Sequence, residues 1–198
     1  MTSNKKALIA IDLDGIFVGK PPIISADLVN YLYRKTKEEK LVYKLPNSRF
    51  QKTIRQLSHS KHLRPVIENN VEWLKQKLKS EKFQIVILSG RYSFLEEITK
   101  KLLNRNSLPI DKDFLKVNLN DQQPHLFKEQ MIRKMKVKYM IDDDIYMLEY
   151  LALKIPETVF IWYAGSPYFR NHKFSNTGKL LNLVKINKLE ELDKIIDR

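Results

Sequence analysis

The chain has 198 residues, of which 43% are hydrophobic, and its 36 lysine and arginine residues against 23 aspartate and glutamate residues give a net charge of +13. This length fits one core domain with a small insertion, and a chain with 5 glycines and 8 prolines is neither disordered nor of low complexity. Cysteine is absent, which excludes disulfides, zinc-thiolate sites, iron–sulfur clusters and thiol nucleophiles. Any metal must therefore be held by oxygen or imidazole ligands.

The longest apolar run near the start, residues 7–11, is ended by Asp12. It is too short for the hydrophobic region of a signal peptide or for a membrane span. We therefore expect a soluble cytoplasmic protein without a membrane partner. No pattern in the sequence indicates an oligomeric state.

Short apolar runs alternate with amphipathic stretches along the chain. The predicted strands are residues 7–11, 83–88, 114–119, 138–141, 158–162 and 183–186. The predicted helices are residues 65–80, 93–105, 124–135 and 145–153, with a closing amphipathic helix in the tail 188–198. This alternation predicts an α/β fold, a three-layer Rossmann-like parallel sheet with helices on both faces.

Residues 16–64, which we call the inserted segment, break this rhythm. Two helical patterns, at 25–40 and 48–59, occur there without a buried strand between them. We therefore predict a core domain formed by residues 1–15 and 65–198, with the inserted segment as a small helical cap. The segment holds 11 basic residues against 3 acidic ones, so most of the net positive charge is concentrated in it.

Polar residues follow three of the predicted strands. The sequence DLDG (12–15) ends the first, SGR (89–91) the second and DDD (142–144) the fourth. Ligands of open α/β sheets bind outside the carboxyl ends of the strands, so these residues are expected to meet at one edge. Four or five carboxylates facing one another would repel strongly, and we therefore expect them to hold a hard divalent cation, with Mg²⁺ favoured.

The order of DLDG (12–15), ILSGR (87–91), a lysine at 128 and IDDD (141–144) resembles the haloacid dehalogenase-like phosphohydrolases. The resemblance covers residues 7–162, and within the family it is closest in style to small-capped deoxyribonucleotidase-like members. It implies a phosphatase that works through an aspartyl-phosphate intermediate. Because Asp12 would have to meet both Ser89 and Asp142 around one phosphate, the first strand is predicted at the centre of the sheet, between the second and fourth.

The resemblance also implies roles for the catalytic residues. Asp12 is the expected nucleophile, and Asp14 the expected general acid for the leaving oxygen and then the base for water. Lys128, one turn into its predicted helix and 14 residues before Asp142, is expected to offset the negative charge of the nucleophile and the phosphoryl group. Lys134 is the alternative, although it falls near the end of that helix.

The remaining site residues would bind phosphate and metal. Ser89 resembles the phosphate-binding hydroxyl of the family's second motif, with Gly90 and Arg91 beside it, although Arg91 is equally compatible with beginning the next helix. The ligands of Mg²⁺ that the resemblance implies are Asp12, the backbone carbonyl of Asp14, Asp142 and Asp143. The metal would let an anionic nucleophile approach an anionic phosphate.

Two positions can be compared with the family's pattern to decide which reaction is expected. Ile16 stands where the family often has Thr or Val, which removes a hydroxyl but leaves the turn intact. An aspartate at position 14 is typical of phosphatases and phosphotransferases, so dehalogenation is not expected. The four histidines (His59, His62, His125 and His172) form neither a metal-binding spacing nor a serine-hydrolase pattern, and each is expected to be structural or exposed.

Aromatic and basic residues are interleaved in the inserted segment: Tyr31, Tyr33, Tyr43 and Phe50 with Arg34, Lys35, Lys40, Lys44, Arg49 and Lys52. They form either the core and solvated face of a small cap, or a positive surface with stacking groups for a phosphorylated substrate. The favoured partner is a nucleotide or similar small phosphorylated metabolite. The alternatives are a phosphatase acting on polynucleotide ends and a non-catalytic protein of this fold that binds magnesium and phosphate.

Overall fold

The computed structural model describes residues 6–19, 41–60, 63–80, 82–165 and 180–196. Six strands form one all-parallel sheet: β1 (Ala7–Ile11), β2 (Phe83–Tyr92), β3 (Leu115–Asn118), β4 (Tyr139–Asp142), β5 (Val159–Tyr163) and β6 (Leu183–Ile186). Their order across the sheet is β3-β2-β1-β4-β5-β6, so β1 lies between β2 and β4. The prediction of a Rossmann-like parallel sheet with the first strand between these two is confirmed.

Helices cover both faces of the sheet: α2 (Glu68–Leu78), α3 (Glu96–Arg105), α4 (Pro124–Met135), α5 (Ile145–Lys154) and α6 (Leu192–Ile196), whereas α1 (Arg49–Ser58) belongs to the inserted segment. Alternate residues of a strand point to opposite faces, so Ile9 and Ile11 pack with α2, α3 and α6, while Ala10 packs with α4 and α5. A sheet covered on both faces needs strands that are apolar throughout, which explains the continuous hydrophobic runs in the sequence.

Several element boundaries differ from the prediction. β2 continues to Tyr92 rather than ending at residue 88, because its extension pairs with β3 across an irregularity between Ser89 and Tyr92. The helix expected from residue 65 begins at Glu68, since the Pro65 carbonyl accepts a hydrogen bond from the backbone N–H of Gly19 at 2.8 Å. The tail forms a 3-10 turn, Leu189–Glu191, before the short α6.

The helix at 48–59 is confirmed as α1, which Ser48 caps by accepting a hydrogen bond from the backbone N–H of Gln51 at 3.1 Å. The other helix predicted in the inserted segment, 25–40, lies outside the described residues. At the start of the segment, the chain stays in the hydrophobic core through Val18. Among the described residues, no helix is long and apolar enough to cross a membrane.

The described middle of the inserted segment packs against the carboxyl ends of the strands. The Gln123 side chain, in the loop after β3, binds both backbone groups of Tyr43, at 2.9 and 3.2 Å. The Tyr43 hydroxyl donates to Asp144, directly after β4, at 2.7 Å, and the Gln56 amide of α1 donates to the carbonyl of Phe94, after β2, at 3.0 Å. These contacts place the segment over the edge where the motif residues lie.

Candidate active site

The strand register brings the first and fourth motifs together. Ile11 in β1 lies opposite Ile87 in β2 and Ile141 in β4, so the residues that follow these strands share one edge. The backbone N–H of Asp12 donates to the carbonyl of Ile141 at 2.9 Å, which extends this pairing by one residue. Asp12 and Asp142 therefore meet because they occupy equivalent positions on neighbouring parallel strands.

Carboxylate oxygens of Asp12, Asp142 and Asp143 all lie within 4.8 Å of one another, and all three residues are buried. We call these three residues the acidic cluster. The Lys128 ammonium, reaching from α4, donates to Asp12 Oδ1 and to Asp142 Oδ2, both at 2.7 Å. Among the described residues, no hydrogen bond reaches Asp12 Oδ2, which leaves that oxygen available to a ligand.

The backbone around the acidic cluster explains its tight packing. Asp142 Oδ1 accepts the backbone N–H of Asp144 at 3.0 Å, and Asp144 in turn caps α5, accepting from Tyr146 at 3.1 Å. Gly15 has φ +81°, a conformation that favours glycine, and any Cβ at this position would overlap the Asp143 carboxylate. The glycine of the first motif thus provides both the turn and the space for the Asp143 carboxylate.

The charge balance of the acidic cluster is negative. Burial raises the pKa of Asp12 to about 8, and the neighbouring carboxylates of Asp142 and Asp14 add to this effect, while the Lys128 ammonium opposes it. Burial by itself lowers the pKa of Lys128, but the charges of Asp12 and Asp142 outweigh burial and raise it. Of the residues that the structure describes, Lys128 alone forms an ion pair with Asp12 and Asp142, and a further positive charge would favour the ionised form of Asp12.

The acidic cluster fits a magnesium ion. Mg²⁺ prefers oxygen ligands at about 2.1 Å, and carboxylate oxygens this close together can share one such ion without rearrangement of the strands. The negative balance supplies the driving force for binding a divalent cation. The carboxylates of Asp12, Asp142 and Asp143 are the groups that would hold it; the expected contribution of the Asp14 carbonyl stays a prediction.

The side chain of Asp14 takes part in a separate arrangement. Its Oδ1 accepts from Arg64 Nη1 at 2.6 Å and from Arg91 Nη2 at 2.8 Å, and its Oδ2 accepts from Arg91 Nε at 2.8 Å. We call Arg64 and Arg91 the arginine pair. Both guanidinium side chains are buried, with 6% and 3% of their surface exposed, so little water competes for these bonds.

The arginine pair controls the ionisation of Asp14. Burial by itself would raise the pKa of Asp14, but the guanidinium charges of Arg91 and then Arg64 outweigh burial and hold this pKa well below its ordinary value. Burial also lowers the pKa of the nearby His59 well below its ordinary value, and the charges of Arg64 and Arg91 add to the effect. Asp14 is thus an anion beside a neutral histidine.

The second motif lies in the extended part of β2. Ser89 is fully buried, and its hydroxyl accepts the backbone N–H of Arg91 at a long 3.4 Å. A Cβ on Gly90 would lie 2.9 Å from Cβ of Pro124, the first residue of α4, so the glycine permits the close approach of the helix that carries Lys128. Arg91 does not begin a helix, since it is still in the strand.

Lys128, rather than the exposed Lys134, reaches the carboxylates, and Lys128 is the lysine to which the resemblance to the phosphatase family points. Arg64 and His59, in contrast, belong to a generally basic segment without a motif. The only available signal was that Arg64 directly precedes a proline at the end of this segment.

Comparison with known proteins supports the fold. Neither protein-family models nor curated proteins match the sequence. The structure is similar to that of a haloacid dehalogenase-like family hydrolase from Streptococcus pneumoniae, with a TM-score of 0.50 and 14% sequence identity over 98% of this chain and all of that one. At this identity the similarity shows a shared fold, and the chemistry has to be argued from the site.

Proposed function

We propose that the protein is a magnesium-dependent phosphomonoester hydrolase that works through an aspartyl-phosphate on Asp12. The observation that carries the proposal is the position of Lys128, which bridges Asp12 and Asp142 at 2.7 Å beside Asp143. A buried lysine fixed between two carboxylates on neighbouring strands provides a nucleophile, a counter-charge and metal ligands in one place. The resemblance of the sequence motifs to a phosphatase family and the fold of the Streptococcus hydrolase agree with this assignment.

In the first chemical step, Asp12 Oδ2 attacks phosphorus and the bond to the leaving oxygen breaks. Asp14, which the arginine pair keeps ionised before substrate binds, takes up the acidic proton of the phosphomonoester monoanion and passes it to that oxygen, so the leaving group departs as an alcohol. In the second step, water attacks the phosphorus of the aspartyl-phosphate, Asp14 takes the water's proton and passes it to the inorganic phosphate, and the carboxylate of Asp12 is released. Each cycle therefore consumes one water and returns both aspartates to their starting states.

The surrounding side chains have distinct tasks in this cycle. Lys128 remains charged and reduces the repulsion between Asp12 and the phosphoryl oxygens. Mg²⁺ held by the acidic cluster would supply Lewis-acid charge stabilisation for the phosphoryl oxygens. The arginine pair favours the ionised, proton-accepting form of Asp14, and Arg91 is the member of the pair that we propose also binds phosphate. Ser89, Gly90 and Arg91 are the proposed phosphate-binding residues.

The proposed substrate is a nucleotide or similar small phosphorylated metabolite. From Leu41 to Ser60, the inserted segment carries four basic side chains (Lys44, Arg49, Lys52 and Arg55) and no acidic one. Phe50 is 74% exposed, and the Lys52 ammonium lies 5.7 Å from the ring centre of Phe94, next to the end of β2. A positive surface with available aromatic rings near the site suits a phosphate group attached to a base.

Hydrolysis of 4-nitrophenyl phosphate by the purified protein in the presence of Mg²⁺ tests the activity. We expect turnover that is lost in Asp12→Asn and retained in Asp113→Asn, a matched substitution at an exposed aspartate. A panel of phosphorylated metabolites and oligonucleotides with terminal phosphates then identifies the substrate class. A protein that binds Mg²⁺ and phosphate but hydrolyses none of these compounds would be the non-catalytic alternative.

A further inference from the structure

Arg64 reaches Asp14 from the inserted segment. Its Nε donates to the carbonyl of Ser58, the last residue of α1, at 3.1 Å, and its backbone N–H donates to the carbonyl of Ser60 at 3.0 Å. Its Nη1 donates to Asp14 Oδ1 at 2.6 Å. A single buried side chain therefore connects the end of α1 to a carboxylate of the site.

Arg91 reaches the same carboxylate from the core. Its Nη1 donates to the Thr99 hydroxyl at 3.0 Å, and that hydroxyl donates to the carbonyl of Leu95 at 2.8 Å, inside the layer formed by α3. Thr99 is completely buried. The two arginines thus hold Asp14 from two separately anchored parts of the molecule.

Two anchors fix a carboxylate better than one. The two bonds from Arg91 set the plane of the Asp14 carboxylate, but this pair can still move as a unit when the Arg91 torsions change. A third bond from a side chain anchored elsewhere removes that freedom. A displacement of about 1 Å in a reacting group lowers rates by about 100-fold, so such fixation matters for a group that transfers protons.

We propose that Arg64 is a positioning residue of the reaction, which fixes the Asp14 carboxylate from the side of α1. The inference rests on the proposed function, in which Asp14 is the proton-transferring group. Arg64 does not touch the reacting atoms in this account; it acts through Asp14. The arrangement also makes the geometry of the site depend on the packing of α1 against the core.

The burial of the Arg64 guanidinium indicates that its bond to Asp14 is not an incidental result of the packing of α1. A guanidinium with 6% of its side chain exposed is costly to bury unless a charge compensates it, and the ion pair with Asp14 provides that charge. The ion pair with Asp14 thus contributes to the stability of the buried Arg64 side chain.

The kinetic test compares Arg64→Gln and Arg64→Lys with the wild type on 4-nitrophenyl phosphate and on an alkyl phosphate. We expect Arg64→Gln to lower kcat by about 10- to 100-fold with KM changed less than about threefold, because the lost interaction positions Asp14 rather than binding substrate. Arg64→Lys should recover part of this loss. Arg105→Gln, an exposed arginine on α3, is the matched control and should behave as the wild type.

Two kinetic results would overturn the proposal: an unchanged kcat in Arg64→Gln, or a loss expressed only in KM. Unfolding by denaturant provides a readout that needs no activity, using Arg64→Gln, Asp14→Asn and the double variant. We expect the double variant to lose less stability than the sum of the single losses, while additive losses would contradict the contact. If the wild type hydrolyses no phosphomonoester, the proposed function fails. The unfolding measurements on the two single variants and the double variant then decide by themselves whether Arg64 holds Asp14.

Discussion

Asp12 and Asp14 are two residues apart, yet their surroundings have opposite charge balances. Asp12 belongs to the acidic cluster, where it shares the Lys128 ammonium with Asp142, and its pKa is raised to about 8. Asp14 lies between the two guanidinium groups of Arg64 and Arg91, and its pKa is held well below the ordinary value. Among the described residues, two carboxylates therefore share one cation on the side of Asp12, while two cations contact one carboxylate on the side of Asp14.

This difference teaches that burial alone does not set the role of a carboxylate. Both side chains are largely withdrawn from water, so the ratio of cations to carboxylates decides which pKa shift results. The shortage of positive charge around Asp12 favours the binding of a divalent cation. The excess of positive charge around Asp14 favours the negative charge of a phosphorylated substrate. A site with both halves is suited to join Mg²⁺ and a phosphate group.

The largest expected effect is on catalysis through Asp12. Asp12→Asn should lower kcat by at least about 10⁴-fold while the protein remains folded, because the amide has nearly the same volume but is not a nucleophile. Asp14→Asn should also lose most activity, with the residual rate largest on aryl phosphates, whose leaving group needs no proton. Steady-state kinetics together with circular dichroism measure both. Activity of Asp12→Asn close to that of the wild type would refute the assignment.

Removal of the metal should have the second-largest effect. We expect chelation of Mg²⁺ to stop turnover without unfolding the protein, and Ca²⁺ to inhibit, because its longer bonds and higher coordination number let a carboxylate bind in a pose that cannot attack. Added Mg²⁺ should raise Tm for the wild type and much less for Asp142→Asn. Undiminished activity in excess chelator would show that the negative balance of the acidic cluster serves another purpose.

Substitution of the two aspartates should change the free energy of unfolding in opposite directions. Because the pKa of Asp12 is raised in the folded protein without metal, folding takes up a proton at pH values between the two pKa values. The free energy of unfolding therefore decreases as the pH rises from about 3.8 to about 8. The stability of Asp12→Asn relative to wild type should therefore rise between pH 5 and 7, by at most about 1.4 kcal/mol per pH unit. Denaturant unfolding at several pH values measures this slope.

Asp14→Asn should lower the stability by an amount that does not depend on pH in this range. The lowered pKa of Asp14 contributes stability that is fully present above the ordinary value of 3.8 and is lost as the pH falls through the lower folded value. Because the substitution leaves two buried guanidinium groups without their carboxylate, we expect a loss of about 3 kcal/mol that stays constant between pH 5 and 7. Equal pH slopes for the two variants would contradict the difference in charge balance.

The smallest effect is expected from the charges of the inserted segment. Charge reversal at Lys44 and Arg49, and at Lys35, which lies outside the described residues, should raise KM several-fold without changing kcat. The kcat/KM of a mononucleotide should fall only mildly as salt rises, whereas a single strand loses affinity with a log–log slope of about −0.7 per phosphate contact. A steep slope with an oligonucleotide substrate would favour polynucleotide ends.

The sequence predicted those parts of the site that depend on strand order. Residues directly after neighbouring parallel strands must share an edge, and the resemblance to the phosphatase family pointed to Lys128, which donates to Asp142 from α4. It did not predict the contact between Arg64 and Asp14, which are 50 residues apart. That contact depends on the pairing of Val18 with Val66, a single bridge that leaves no periodic pattern in the sequence.

The start of α2 was missed for the same reason. The helical pattern of residues 65–80 is continuous in the sequence, but the backbone of Pro65 is already used by Gly19, and Ile67 donates its backbone N–H to the carbonyl of Phe17 at 2.9 Å. These non-local bonds override the local preference for helix. They also place Arg64, the residue before them, beside the site.

The most direct test of the account is to trap the covalent intermediate on Asp12. The protein is mixed with Mg²⁺ and a radiolabelled phosphomonoester, quenched in acid within the first turnover and digested for peptide mapping. We predict a labelled acyl phosphate on the peptide that contains Asp12, absent in Asp12→Asn and present at increased level in a variant whose second step is slow, such as Asp14→Asn with an aryl phosphate. Turnover without label on this peptide, or label on another residue, would contradict the central claim.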